Sequence, residues 1–72
     1  MNEIKIRFKS GDIGYFKLID DTDEYIQNIY NYITLAIREE MKGTFEVIDL
    51  TDDKKTSINI NEIASIGYSK IE

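Results

Sequence analysis

The feature that most constrains this chain is the run 21–43, where apolar residues recur at the step of an α-helix. Ile26, Ile29, Tyr30, Ile33, Ile37 and Met41 fall three or four residues apart, so they share one face at 3.6 residues per turn. Gln27, Asn31, Thr34 and Arg38 occupy the other side. Asp21 is a good N-cap, and Glu24 stands three residues on, the spacing of a capping box. Asp23 and Glu24 suit the positive end of the helix dipole, and Arg38 and Lys42 the negative end. Gly43 can take the left-handed conformation that closes a helix. The sequence therefore predicts one helix over 21–43. A helix with one apolar face needs a surface to cover, so the flanking segments are expected to be strands.

One flank of this helix is less polar than a solvent face requires. At about 100° per residue, Tyr25, Tyr32 and Ala36 lie together beside the core stripe, with Leu35 further out. Two readings stand. The flank is a partner-binding strip made by Tyr25, Tyr32 and Leu35. Otherwise the two tyrosines lie along the sheet edge with their hydroxyls in water, as amphipathic rings do.

The flanking segments alternate with the period of strands. Ile4, Ile6 and Phe8 point one way, and Lys5, Arg7 and Lys9 the other. Ser10, Gly11 and Asp12 form a turn, and 13–19 returns as a second strand. Phe16 and Leu18 join the apolar face, while Tyr15 and Lys17 join the cations. After the helix, 44–50 is a third strand with apolar residues on both faces, which places it in the sheet interior. The charged turn 51–55 leads to a fourth strand over 56–60. Asn61 and Glu62 make a corner. The segment 63–71 is a fifth strand, or a helical turn followed by a strand, and Gly67 marks a bulge or a close approach. The expected fold is α+β in the order β-β-α-β-β-β. One helix packs on one face of a mostly antiparallel sheet of four to five strands, and residues 1–72 form a single domain.

Such a fold leaves one sheet face without a helix. That face carries Lys5, Arg7, Lys9, Tyr15 and Lys17, with either Ile48 and Leu50 or Phe45 and Val47 from the third strand. It is a candidate association surface, or a solvated face with scattered apolar groups.

At 72 residues, a core alone provides little stability. With no cysteine for a disulfide and no histidine for a common metal site, unusually good packing or oligomerisation is the remaining remedy. No stretch is long enough to span a bilayer, and the first residues lack the apolar block of a leader. Without cysteine nothing speaks for an oxidising compartment, so the cytoplasm is the default expectation. Heavy use of Ile, Asn, Lys, Asp and Tyr suggests an AT-rich coding sequence, as in low-GC bacteria and their mobile elements. The net charge of −5 disfavours a general attraction to nucleic acid or anionic lipid, and favours solubility and a basic partner.

The usual catalytic sets lack their parts. Nucleophilic catalysis lacks both cysteine and a histidine to activate serine, and zinc lacks its soft and imidazole ligands. Asp20, Asp21, Asp23 and Glu24 cluster at the helix start, and Asp49, Asp52 and Asp53 at a turn. Carboxylate pairs can do acid-base work only in a cleft that raises one pKa, and so small a domain hardly builds one. Neither cluster fits the EF-hand spacing: counting from Asp49 puts Lys54 where glycine is needed, and counting from Asp12 puts Lys17 there. Gly11 and Gly14 lack the lysine and serine of a phosphate loop. No enzyme activity, cofactor or metal is expected.

The leading expectation is a small acidic protein-interaction module, accessory or inhibitory. It would offer Asp20, Asp21, Asp23 and Glu24 to a basic partner surface, where phosphates would otherwise sit. The alternatives are a self-associating structural subunit, and a nucleic-acid or phospholigand binder. The latter would use Lys5, Arg7, Lys9 and Lys17 for phosphates and Tyr15 for stacking.

Overall fold

A computed structural model describes residues 1–70. The elements in chain order are β1 (Asn2–Phe8), β2 (Ile13–Lys17), α1 (Asp23–Arg38), β3 (Thr44–Asp49), β4 (Lys54–Asn59), a 3-10 turn η1 (Ile60–Glu62) and β5 (Ile63–Lys70). The strands form one five-stranded sheet in the order β4-β3-β2-β1-β5, antiparallel throughout. The expected α+β fold is present. The expected extension of β5 to Ile71 lies outside the described residues.

The sheet cannot be flat. β4 and β5 are its two edges, yet only η1 separates them in sequence. Five flat strands would hold their edges about 19 Å apart at the usual spacing, while three residues of 3-10 helix advance only about 6 Å. The sheet therefore curls, and β2 and β3 pair over a short stretch, at Phe16↔Asp49 and Lys17↔Ile48, with one further bond from the Leu50 N–H to the Tyr15 carbonyl at 3.1 Å. η1 closes the open end. The Ile60 N–H donates to the Gly43 carbonyl just before β3, and the Lys9 N–H donates to the Glu62 carbonyl just past β1, both at 2.9 Å.

The concave face holds the core: Ile4, Ile6, Phe16, Leu18, Val47, Ile58, Ile60 and Ile63 from the sheet side, and Ile26, Ile33 and Ala36 from the helix. Ala36, expected on the tyrosine flank, is fully buried instead. Its small side chain lets the helix approach closely. Met41, expected inward, is exposed because the helix has already ended. Gly14 faces the core opposite Ile6, and Phe16 lays its ring over it. A Cβ at Gly14 would stand 2.5 Å from that ring, so only glycine fits beneath it.

The helix runs lengthwise along β5 and η1. The Tyr68 hydroxyl donates to Gln27 Oε1 at 2.8 Å, Lys70 Nζ meets Asp23 Oδ2 at 3.2 Å, and Tyr30 packs edge-on against Tyr68 at 5.0 Å. Sixteen helical residues and eight strand residues have matching lengths of about 25 Å. The edge strand with little charge to protect it is thus flanked by α1, while β4 carries Lys54 and Lys55 on its own edge.

Both ends of the helix depart from the sequence expectation. The N-cap is Thr22, whose Oγ1 accepts the Tyr25 N–H at 3.3 Å. Asp21 makes no capping box with Glu24, because its carboxylate is turned to the backbone of Asn2. The helix closes at Glu40, not Gly43. Glu40 takes a φ of 53°, and the Met41 and Glu40 N–H groups return to the Ala36 and Ile37 carbonyls at 2.9 and 3.2 Å. That pair of bonds is the Schellman closure.

Candidate functional site

The side chains singled out in the sequence fall into three separate surfaces. The first is the convex face of the sheet. Across β1 and β2, Lys5 is opposite Tyr15 and Arg7 is opposite Ile13. On the other side of β1, Lys5 is opposite Gly67 and Arg7 is opposite Ser65. Across β2, β3 and β4 the row continues Lys17, Ile48, Lys55. The third strand therefore contributes Ile48 and Leu50 to this face, and Phe45 and Val47 to the core side. Tyr15 and Ile13 remain 45% and 44% exposed, and Gly67 leaves open space beside Lys5. Lys17 Nζ reaches Asp53 at 3.5 Å. Lys5, Arg7 and Lys55 have no ion-pair partner among the described residues.

Lys9 does not belong to this face. The ladder shifts register between Arg7 and Phe8, and Lys9 lies past the end of β1. There it borders a shallow cleft of about 340 Å³ with Ala36, Ile37, Glu40, Met41, Ile60 and Ala64. Two members of the convex face, Ile13 and Lys55, were missed by the sequence reading. Ile13 was legible, since it shares the parity of Tyr15 and Lys17. Lys55 was not, because strand pairing extends β4 into what composition makes a charged turn.

The second surface is the acidic cluster. Asp21 Oδ1 accepts the Asn2 N–H at 2.8 Å, and the Asn2 side-chain amide donates to the Asp21 carbonyl and to Asp23 Oδ1, both at 3.3 Å. Asn2 is 4% exposed, so these bonds satisfy a buried amide that would otherwise cost free energy. Asp23 also holds Lys70, and Asp21 lies 3.8 Å from the terminal amine. Asp20 accepts the Thr22 N–H at 3.1 Å in a local turn. The Asn2 backbone N–H holds the Asp21 carboxyl below the ordinary aspartate range. The Asn2 side-chain amide, and then Lys70, does the same for Asp23. Three of the four carboxylates thus make bonds within the molecule, and two of them clasp β1 and β5 to the start of α1. Glu24 alone makes no bond among the described residues. Asn2 was missed by the sequence reading, since a polar residue near a chain end carries no pattern.

The third surface is the helix flank, where Tyr25, Tyr32 and Leu35 are 40%, 48% and 42% exposed. Among the described residues no group of three or more acidic side chains converges at metal-binding distances, and no helix is long and apolar enough to cross a membrane. Comparison with protein-family models, curated proteins and solved structures finds no match to this chain.

Proposed function

We propose that this chain is a non-enzymatic protein-interaction module whose contact surface is the convex sheet face. The partner is a protein segment that presents carboxylates around an apolar side chain. The observation that carries this reading is Tyr15 and Ile13, nearly half exposed among Lys5, Arg7, Lys17 and Lys55 in a chain of net charge −5. Exposed apolar area beside these cations, on a face that Glu3 and Glu46 share, fits an acidic and apolar ligand better than it fits water. The acidic cluster is the weaker surface for a basic partner, because Asp21 and Asp23 already hold Asn2 and Lys70. The net charge of −5 weighs against a long polyanion, whose charge runs past the convex face into repulsion from the rest of the molecule, and less against a short acidic segment confined to that face.

The test is a titration of isotopically labelled protein with an acidic peptide carrying one Leu or Phe, followed by amide NMR. The expected shifts gather at Lys5, Arg7, Ile13, Tyr15, Ile48 and Lys55, and the double substitution Lys5→Glu with Arg7→Glu removes them. Shifts confined to 20–24, or an equal response to a basic peptide, would overturn the assignment. Retention of an oligonucleotide at physiological salt, lost in the same double variant, would move it to nucleic acid.

A further inference from the structure

The helix carries a second stripe that the fold does not use. Tyr25, Asn28, Tyr32 and Leu35 follow steps of three, four and three along α1. At about 100° per residue they centre about 140° around the helix from the core stripe of Ile26, Ile33 and Ile37. All four are exposed, and their side chains make no ring contact or hydrogen bond among the described residues. Alternating steps of three and four are the spacing of a helix–helix seam. Tyrosine and leucine along such a seam supply the area that a helical partner would cover.

The charges beside the stripe select the partner and its direction. Glu24 flanks it in the first turn and Arg38 in the last. Glu24 is unpaired among the described residues, and Arg38 reaches only its neighbour Glu39 at 4.0 Å. We propose that a second copy of this chain covers the stripe, with the two α1 helices antiparallel about a two-fold axis near residue 30. Tyr25 then meets Leu35 of the other copy, and Asn28 meets Tyr32. Glu24 of each copy meets Arg38 of the other, so the pair forms twice by symmetry. A parallel arrangement would set Glu24 on Glu24 and Arg38 on Arg38, and would align the two helix dipoles unfavourably. The stripe points away from the sheet, so the second helix approaches without touching the convex face.

Size sets the strength. Two helices about 24 Å long, touching along a strip about 10 Å wide, bury about 240 Å² on each helix and about 500 Å² in all, well below the roughly 1,200 Å² of a stable specific interface. The dimer is therefore weak and dissociates on dilution. It turns two convex faces outward, which would make the binding module bivalent. The proposal does not depend on what the convex face binds.

Sedimentation equilibrium from about 10 µM to about 1 mM spans the range expected for such an interface. The wild-type protein is expected to show a monomer–dimer equilibrium, and Tyr32→Glu to stay monomeric with unchanged helical circular dichroism. Glu24→Arg alone and Arg38→Glu alone each weaken association by about tenfold, since each replaces two attractive pairs by two repulsive ones. Mixed in equal amounts, these two variants make both attractive pairs again, and association recovers. A monomer at the highest concentration, a dimer indifferent to Tyr32→Glu, or a mixture no better than its components each overturns the proposal. The convex-face variant Lys5→Glu with Arg7→Glu leaves the equilibrium unchanged, which separates this surface from the one proposed above.

Discussion

At the scale of single residues, Asn2 shows how a polar side chain can organise a fold. Its buried amide and its backbone N–H gather Asp21 and Asp23, and Asp23 in turn takes Lys70. Three elements that are distant in sequence meet at that point. Both carboxyls are held below their ordinary range by these donors, and the sign of the pH dependence follows. A carboxyl with a lowered folded-state pKa adds stability that is complete above its unfolded value. That stability is lost as pH falls through the folded-state value. The urea midpoint should therefore be level from neutral pH down to mildly acidic pH and drop below the ordinary aspartate value. Asn2→Ala should lower the midpoint at neutral pH and flatten the acid drop. An acid profile identical in both proteins would show that the clasp contributes nothing. The acidic patch was plain in the sequence, but its use was not. Charge is a property of a residue, while the donor that consumes it is brought by the fold.

At the scale of elements, the helix is the segment the sequence marks most clearly, and its ends are where the sequence misleads. The period of Ile26, Ile29, Ile33 and Ile37 is intrinsic to the helix and survives any tertiary context. Capping is a contest between neighbours. Asp21 and Thr22 are both competent caps, and the pull of Asn2 on Asp21 leaves the role to Thr22. At the other end Gly43 has the chemistry to close the helix, but the chain must turn earlier for its carbonyl to receive Ile60. Glu40 therefore takes the left-handed conformation that glycine adopts without strain. Glu40→Gly should stabilise the protein by about 0.5–1 kcal/mol, visible as a higher denaturant midpoint at unchanged slope. A lower midpoint would mean that the Glu40 side chain outweighs the backbone strain.

At the scale of the whole molecule, size is the governing fact. A domain of 72 residues has about 3–5 kcal/mol of stability to draw on from its core. Removing a fully buried Ile costs about 2–5 kcal/mol. Ile33 is fully buried at the middle of α1, so Ile33→Ala should leave much of the protein unfolded at room temperature, as read by circular dichroism. A small loss there would mean that the core is not the main source of stability.

The sequence by itself determined one helix between two strand pairs and a final strand, and which side chains alternate inward. Those depend on periods of 3.6 and 2 that act over a few residues. It also determined that Lys5, Arg7, Tyr15 and Lys17 share one face, since parity along a hairpin needs no distant contact. Only the tertiary structure decided that η1 draws the two sheet edges together, that Ala36 enters the core, and that Lys9 leaves the cationic face. It alone joined Ile48 and Lys55 to that face and tied the acidic cluster to Asn2 and Lys70. Each of these is a pairing between segments far apart in the chain, where sequence patterns over a few residues do not reach.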